Sequence, residues 1–373
     1  MPTADLAPTQ RPGPSRAALQ ALPKVELHCH LLGTVQRATF EDLVREAGAP
    51  IGADDIDGFF LPSARPVGAI RVLRALEQRL LRRPAHFHRI AYEYLCEAAA
   101  HGVRHAELSW NPTGTAAVPG LTYAQVLPAL RAAFADARRD AGIQALLIPA
   151  IDREAGAQAA LEMAQWVVDA PCDEVRGIGI DYREAEGPPE RFADAYALAR
   201  RAGLKATAHA GEFGLPWVNV QSALDLLHCD RIDHGYTVVD HPPLLQRCRE
   251  RGVVFTVVPT NSYYRRTLAP QRWALDHPIR AMLAAGLAIH PNTDDPTLHQ
   301  VTPTGAWAMM TEHFGAGWSD VRRMLQAGLA GAWIDDVQRR RWASEWAAEC
   351  DALQAADEAA AAAGPPPPTP NGN

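Results

Sequence analysis

The sequence predicts an α/β protein folded as a closed (β/α)8 barrel, or TIM barrel. Short apolar runs alternate with longer stretches of helical periodicity, which is the pattern of βα units in a parallel sheet. Eight strand-like runs can be counted, the number that closes such a barrel. Side chains able to bind a metal or move a proton follow several of these runs directly. Since the carboxyl ends of barrel strands meet at one face, we expect these side chains to form one site.

The composition fits one large globular domain. The chain has 373 residues, of which 47% are hydrophobic and 21% charged, so a large core can form. We expect a single barrel domain over residues 21–363. Residues 1–20 are rich in Pro, Ala and Thr and have no apolar periodicity, which predicts a flexible N-terminal lead. Residues 364–373 predict a flexible Pro-rich tail.

The charge pattern argues against a nucleic-acid or membrane partner. The formal net charge is -7, and the longest Lys/Arg run, Arg339–Arg341, lies in a helical pattern. No run of about 18 apolar residues is present, so we expect no membrane span. The six cysteines lack C-x-x-C spacing and the chain starts without a secretory apolar segment, which favours a cytoplasmic protein. The sequence leaves the oligomeric state open.

The first predicted strand, residues 24–31, has two chemically different faces. Side chains alternate along a strand, so His28 and His30 lie on one face together with Lys24 and Glu26. Cys29, between the two histidines, points to the apolar back. Two imidazoles presented from one face can bind one metal ion together, although an H-x-H pair alone is weak support for a metal site.

Seven further strands complete the predicted barrel. They cover residues 103–110, 144–151, 175–181, 205–209, 231–234, 253–259 and 286–293. An insertion at 36–83, which includes Phe59-Phe60-Leu61-Pro62, follows the first strand on the active-site side and predicts a helical lid. A hydrophobic cluster under a long loop is the alternative, and whether the insertion closes stays open. Residues 302–363 predict a C-terminal helical extension that packs outside the barrel.

Four of the predicted strands end in groups suited to metal binding and proton transfer. The first ends in the H-x-H pair, the fifth in His209–Glu212, the sixth in Asp233–Gly235, and the eighth is followed by Asp294 and Asp295. Three histidines and one aspartate would offer a zinc-like ion mixed nitrogen and oxygen ligands while leaving a position for water. Two carboxylates and one histidine would remain for proton transfer.

These motifs resemble the adenosine/adenine deaminase family of the metal-dependent amidohydrolase superfamily. The resemblance spans residues 22 to about 314 and rests on PKVELHCH (23–30), HAGE (209–212), RIDHG (231–235) and NTDDP (292–296). It implies one Zn²⁺ per chain, bound by His28, His30, His209 and Asp294. Binuclear relatives use a carboxylated lysine, commonly on the fourth strand, and this chain shows none at the end of that strand.

The resemblance also implies a hydrolytic deamination in purine and nucleotide metabolism. Zinc-bound hydroxide attacks the amino-bearing ring carbon of an aminopurine. His234 accepts or holds the proton, and Glu212, in its protonated form, donates to a ring nitrogen. Asp295 orients the hydroxide or accepts a hydrogen bond from the ring. Ammonia then leaves.

The predicted substrate-binding residues are Asp295, Glu184, Asp181, Gly211 and Leu32. Leu32 occupies the position where related deaminases have a polar residue, which in adenosine deaminases is an acid that contacts the ribose. Glu184 resembles an acid of the adenine deaminase branch and could accept a hydrogen bond from a purine N–H, or it could be a solvated loop residue. The substrate is therefore expected to be adenine, adenosine or a modified relative.

Two other functions stay open. One is an aminohydrolase of the same superfamily that acts on a modified or non-purine amine or amide. The other is a barrel that binds a ligand without turnover, which the full set of seven predicted metal and catalytic residues disfavours. A deaminase of nucleic-acid bases is disfavoured because H-x-E and P-C-x-x-C are absent.

Overall fold

Eight parallel strands form the barrel of the computed structural model, which describes residues 13–60, 69–118 and 121–363. The strands are β1 (Lys24–His30), β2 (Val103–Trp110), β3 (Gln144–Asp152), β4 (Gly177–Asp181), β5 (Lys205–Ala210), β6 (Arg231–His234), β7 (Val254–Val257) and β8 (Ala288–Pro291). Each pairs in parallel with the next along the chain. The predicted (β/α)8 barrel is confirmed, and its strand limits differ from the predicted ones by at most two residues.

Backbone hydrogen bonds close the barrel between β1 and the residues that follow β8. The His30 N–H donates to the Asp294 carbonyl oxygen at 2.8 Å, and the Asp294 N–H donates to the His28 carbonyl oxygen at 3.0 Å. Between β5 and β6, His209 is in register with Asp233. The polar ends of these strands therefore surround one opening, at the carboxyl end of the barrel.

Helices surround the strands, and the chain between β1 and β2 is also helical. They are α1 (Arg16–Ala21), α2 (Arg37–Ala47), α3 (Ala53–Phe60), α4 (Ala69–Ala75), α5 (Pro84–Ala100), α6 (Pro112–Ala116), α7 (Tyr123–Ala141), α8 (Gly156–Asp169), α9 (Ala193–Arg201), α10 (Val218–Asp225), α11 (Pro242–Arg251), α12 (Ser262–Thr267), α13 (Trp273–Asp276), α14 (Pro278–Ala284), α15 (Pro296–His299), α16 (Pro303–Glu312), α17 (Trp318–Gly331) and α18 (Asp336–Ala363). Within the described ranges, none of them combines the length and the apolar character needed to cross a bilayer.

The predicted C-terminal helical region is present as α16, α17 and α18. Helix α17 packs directly on β8 and β1, so it covers the seam at which the barrel closes. Helix α18 packs against α17 and lies further out. Part of the predicted extension is thus a member of the ring of helices around the strands.

The insertion after β1 contains α2, α3, α4 and a π-helical turn at Leu76–Leu80. Phe59 and Phe60 pack edge-to-face on Phe40, with ring centroids 5.7 and 5.3 Å away. Leu61 and Pro62 of the predicted lid lie outside the described residues. These aromatic rings belong to the main apolar core and not to the separate satellite cluster considered from the sequence, and the insertion also borders the site described below.

The flexible N-terminal lead was predicted to extend to residue 20, but the structure has a helix from Arg16. Helix α1 starts at Arg16, and its N-cap Ser15 accepts a hydrogen bond from the Ala18 N–H at 3.2 Å. Leu19 is fully buried, in a helix that contacts α16 and α18. Six residues are too few to show helical periodicity, and their burial depends on distant parts of the chain. Residues 1–12 and the predicted tail, 364–373, lie outside the described residues.

Candidate active site and metal centre

The four predicted metal ligands converge at the carboxyl end of the barrel. His28 Nε2 lies 3.1 Å from His209 Nε2, and His30 Nε2 lies 3.2 Å from the same atom. Asp294 Oδ1 lies 3.4 Å from His28 Nε2 and 3.1 Å from His30 Nε2. Zinc bonds of about 2.0–2.1 Å in a tetrahedron imply ligand separations of about 3.3–3.4 Å. Four of the six separations among these donor atoms are therefore close to those that one zinc ion requires.

The charge states of these groups also suit a metal ion. Burial and the neighbouring histidines lower the pKa of His209 well below its usual value, so its imidazole is neutral. Burial opposes ionisation of Asp294, but His28 and His30 together hold its pKa well below the usual value. Burial opposes protonation of His28 and His30, but nearby carboxylates that include Asp294 raise the pKa of both, so a metal ion would take the place of protons in this group.

The far nitrogen of each imidazole faces an oxygen, which directs the Nε2 lone pair to the centre. His28 Nδ1 lies 3.2 Å from the Thr256 carbonyl oxygen, so its N–H donates there. His30 Nδ1 lies 3.2 Å from Asp181 Oδ2. Such partners fix the tautomer and the ring orientation of metal-binding histidines. Asp181, predicted as a substrate residue, is thus placed to orient His30.

Asp233 faces the far nitrogen of His209, beyond hydrogen-bonding distance, and the sequence indicated no role for it. Its Oδ2 lies 3.6 Å from His209 Nδ1. Its carboxylate is held by the Thr207 hydroxyl at 2.9 Å and the Thr256 hydroxyl at 2.6 Å. The signal for Asp233 in the sequence is an acidic residue inside an apolar strand, directly before His234.

His234 lies beside the metal group and has a different environment. It, His28, His209 and Asp294 each offer one atom within 4.8 Å of the others. Its φ is 66°, a left-handed conformation that turns the side chain at the end of β6 into the site. Its Nε2 has no hydrogen-bond partner among the described residues and lies 3.5 Å from Glu212 Oε2.

Tyr236 fixes the tautomer of His234. Its hydroxyl donates to the Val258 carbonyl oxygen at 3.1 Å and accepts from the Val258 N–H at 3.0 Å. The same hydroxyl oxygen lies 3.3 Å from His234 Nδ1. A phenol has only one hydrogen to donate, so it must accept from His234 Nδ1–H. The Nε2 of His234 consequently carries a lone pair that faces the site. No sequence pattern indicated this role for Tyr236.

Glu212 is buried, and its surroundings favour the protonated form. Burial raises its pKa well above the usual value, and the nearby carboxylates of Asp294 and Glu184 raise it further. Asn261 Nδ2 donates to Glu212 Oε1 at 3.1 Å, and Asn261 Oδ1 also caps α12 by accepting from the Tyr263 N–H at 3.1 Å. The sequence did not single out Asn261, although an asparagine directly before a helix after β7 is a cap signal.

Glu184 is buried rather than solvated, with 1% of its surface exposed. Its Oε1 accepts from the Gly211 N–H at 2.8 Å and from Asn219 Nδ2 at 2.7 Å, and its Oε2 accepts from the Glu212 N–H at 3.1 Å. The φ of Gly211 is +68°, which favours glycine. Glu184 therefore holds the turn that leads from β5 to the Glu212 side chain.

Asp295 follows Asp294 and packs against the turn after β1. A Cβ atom at Gly33 would overlap Asp295 Oδ1, so only glycine fits there. Asp295 Oδ1 has no hydrogen-bond partner among the described residues. Burial and the neighbouring Asp294 raise the pKa of Asp295 to about 6. An unpaired buried oxygen of this kind is available to a substrate or a water molecule.

A cavity of about 680 Å³ opens above these groups, a size suited to a small molecule. Asp181, Glu184, Glu212, Asp294 and Asp295 lie in its lining, together with His30 and His209. Leu32 also lines it, with apolar neighbours that include Ile70 and Leu73 of α4. The insertion after β1 therefore forms part of the wall. His28, Gly211 and His234 do not line the cavity and are buried.

Comparison with known sequences identifies deaminases as relatives of this chain. A model of the family described as adenosine deaminase matches residues 23–348. An adenine deaminase of Streptomyces coelicolor is 33% identical over 344 residues, which cover 91% of this chain and 94% of that protein.

Solved structures agree with these matches. The crystal structure of an amidohydrolase from Burkholderia ambifaria with bound zinc is 55% identical, with a TM-score of 0.91 and coverage of 92% of this chain and 94% of that one. An adenine deaminase from Arthrobacter aurescens is 28% identical, with a TM-score of 0.78 and coverage of 88% and 98%. The chain belongs to the adenosine deaminase family.

Proposed function

We propose that this protein is a zinc-dependent hydrolytic deaminase of an adenine- or adenosine-like aminopurine. The observation that supports it most is the arrangement at the base of one cavity of a buried glutamate with a raised pKa, an imidazole with a free lone pair and four candidate metal ligands. Membership of the adenosine deaminase family and the zinc bound in the Burkholderia ambifaria amidohydrolase agree with this proposal.

We assign the zinc to His28, His30, His209 and Asp294 and leave His234 outside the metal set. His30 Nε2 lies 3.2 Å from His209 Nε2 and 3.1 Å from Asp294 Oδ1, and these short separations support it as the fourth ligand. The Nε2 of His234 instead faces Glu212. Zinc in this set would polarise a water molecule and lower the pKa of that water toward neutrality.

The side chains divide the proton transfers between them. His234 Nε2 holds a lone pair and accepts the proton that the attacking water loses. Glu212 donates its proton to a ring nitrogen, which breaks the aromaticity of the purine and makes the amino-bearing carbon electrophilic. Asp295 orients the water or the ring with its unpaired oxygen. The amine then takes the proton held by His234 and leaves as ammonia, while the added hydroxyl returns its proton to Glu212 and becomes the carbonyl oxygen of the ring.

An aminohydrolase that acts on a modified amine or amide is the second candidate. Leu32 favours it, because an apolar side chain lies in the cavity wall where a ribose-binding acid is expected. A reducing, cytoplasmic setting is part of the proposal, since all six cysteines are free.

The test combines metal analysis with a screen for ammonia release. We expect about one zinc per chain and ammonia from at least one of adenine, adenosine and their N6-substituted or 2-substituted relatives. Glu212→Gln should lower kcat by roughly 10²- to 10⁴-fold because its amide cannot donate a proton to the ring. Glu186→Gln, an exposed change in a neighbouring loop, is the matched control and should behave like the wild type. A zinc-loaded enzyme that releases ammonia from none of these compounds would contradict the purine assignment.

A further inference from the structure

The mouth of the active-site cavity contains three arginines. Arg71 lies on α4, Arg183 in the loop after β4 and Arg266 on α12, so they come from three separate parts of the chain. All three line the same cavity whose base holds the metal and catalytic groups. The chain as a whole has a net charge of -7, so this local excess of positive charge runs against its overall balance.

The acidic residues of this cavity lie at its base. The carboxylates in the lining are Asp181, Glu184, Glu212, Asp294 and Asp295, and each faces the metal group or the backbone that holds it. The described lining residues include no other carboxylate. These five carboxylates are buried whereas the three arginines are exposed, so the acids lie deep in the cavity and the guanidinium groups near its opening.

The arginines keep unused hydrogen-bond donors. Arg183 Nη1 contacts Glu154 Oε1 at 3.0 Å, and 54% of its side chain is exposed. Arg71 Nη2 is 3.8 Å from Asp55 Oδ1, too far for a hydrogen bond. Arg266 is exposed and forms no ion pair with any residue that the structure describes. Each guanidinium has five N–H donors, so most of them remain available to a ligand.

We propose that Arg71, Arg183 and Arg266 form a subsite for a negatively charged substituent of the substrate. The substrate is then a 6-aminopurine that carries a phosphate or a carboxylate, with its ring at the base of the cavity and its anionic group at the mouth. Guanidinium groups bind both anions through paired N–H donors. Leu32 fits this proposal, because a carboxylate at that position would repel such a group. The purine part rests on the proposed function, whereas the anionic part rests on the arginines alone.

Two pairs of compounds test the charge of the substrate directly. Adenosine is compared with adenosine 5′-monophosphate, and 9-propyladenine with 9-(2-carboxyethyl)adenine, in assays of ammonia release. We expect the charged member of at least one pair to have a KM at least about tenfold lower, and the responding pair identifies phosphate or carboxylate. The preference should shrink as NaCl is added, because salt screens exposed charges.

Arginine variants connect this preference to the subsite. Arg266→Gln and Arg71→Gln should each raise KM for the charged compound by about tenfold or more and leave kcat and the kinetics of the neutral compound unchanged. Arg265→Gln is the matched control, because Arg265 adjoins Arg266 on α12 but lies 5.6 Å from the Trp273 ring centroid, outside the cavity lining. Its KM should match the wild type.

Calorimetric binding separates the subsite from the chemistry. The zinc-loaded Glu212→Gln variant should bind adenosine 5′-monophosphate or 9-(2-carboxyethyl)adenine more tightly than the neutral partner, and adding Arg266→Gln should remove the difference. If neutral compounds bind and react as well as charged ones, the subsite is refuted while the proposed function stands. If a charged compound binds through Arg266 but nothing releases ammonia, the subsite stands and the proposed function fails. If neither occurs, both are wrong.

Discussion

His234 differs from the three metal-directed imidazoles in the atom that its far nitrogen contacts. His28 and His30 have a carbonyl oxygen and a carboxylate there, while His234 has the phenol of Tyr236. The phenol is fully engaged with the Val258 backbone and can only accept from His234. This difference in partners is what separates a proposed proton acceptor from the proposed ligands around it.

Removing the Tyr236 hydroxyl should affect turnover more than substrate binding. In Tyr236→Phe, the Nδ1–H tautomer of His234 loses its acceptor, so the unproductive tautomer becomes populated. We expect kcat to fall by about tenfold, since one hydrogen bond contributes about 0.5–1.5 kcal/mol, with KM and zinc content unchanged. Stopped-time assays of ammonia with metal analysis measure all three.

Tyr264→Phe is the control for this change. Tyr264 packs edge-to-face against Tyr236 at a centroid distance of 5.1 Å, so the variant removes a neighbouring hydroxyl that does not touch His234. It should keep the wild-type kcat. Equal losses in both variants, or a Tyr236→Phe enzyme with normal kcat, would show that the phenol does not position His234.

At the scale of elements, the turn after β5 depends on a residue from the loop after β4. The Glu184 carboxylate accepts hydrogen bonds from the backbone N–H of Gly211, the backbone N–H of Glu212 and the side-chain amide of Asn219. In Glu184→Gln, one oxygen becomes an NH2 group that faces a donor. We expect a loss of about 1–3 kcal/mol in the free energy of unfolding and a kcat at least about tenfold lower, because Glu212 loses its fixed position.

Denaturant unfolding and ammonia assays check both effects, and Glu186→Gln serves as the exposed control from the same loop. A Glu184→Gln protein of normal stability whose KM alone rises would instead indicate that Glu184 contacts the substrate, which was the expectation drawn from the sequence.

Helix α14 begins at a histidine whose protonation opposes folding. His277 Nδ1 accepts from the Ile279 N–H at 3.2 Å, and burial together with nearby Arg265 lowers the pKa of His277 to about 3. Its other contacts are the rings of Tyr236, Tyr264, Trp273 and Phe314. An unfolded histidine titrates near 6.5, so the unfolded chain takes up this proton first as the pH falls. Stability should therefore decrease from about pH 6.5 toward pH 3.

His277→Asn keeps a side-chain acceptor at the helix start and removes the titrating group. We expect a shallower loss of stability over that pH window, measured by urea unfolding at several pH values. The slope should not vanish, because burial also lowers the pKa of His290 to about 3. His228→Asn is the control, since His228 is exposed and has a φ of 54° that asparagine tolerates. An unchanged slope in His277→Asn would refute the role of His277.

For the whole molecule, the sequence was sufficient for the barrel and for the groups that end its strands. Apolar runs and helical periodicity recur locally, so eight strands and the convergence of His28, His30, His209 and Asp294 could be predicted. The residues that orient these groups could not be predicted from the sequence. Asp233, Tyr236 and Asn261 act through contacts between different strands and loops, which depend on barrel register and have no local pattern.

The same register explains the outcome for Glu184. Its position in the sequence, three residues after β4, was compatible with a substrate contact or a solvated loop. Its side chain is buried, lines the cavity and reaches across to the turn after β5, which only the closed barrel brings near. The arginines near the cavity opening are a similar case. Arg71, Arg183 and Arg266 lie far apart in the chain and line the same cavity only in the folded molecule.

Zinc should stabilise the whole barrel because its proposed ligands come from distant parts of the chain. His28 and His30 lie on β1, His209 on β5 and Asp294 after β8, so one ion joins the first, fifth and last units and the seam at which the barrel closes. Without zinc, only the pairing of Asp294 with His28 and His30 holds these donors together. A metal bound only by the folded state stabilises it by about 2.7 kcal/mol at a hundredfold excess over its Kd.

Removing zinc with dipicolinate should therefore lower the Tm by several degrees, and adding one equivalent of zinc should restore it, as followed by circular dichroism. Asp294→Asn provides the comparison, because its weakened site should bind less zinc and its Tm should respond less to chelation. Leu226→Asn, an exposed change remote from the cavity lining, should respond like the wild type. If the wild-type Tm is the same with and without zinc while metal analysis finds the ion bound, the centre does not act as a cross-link of the fold.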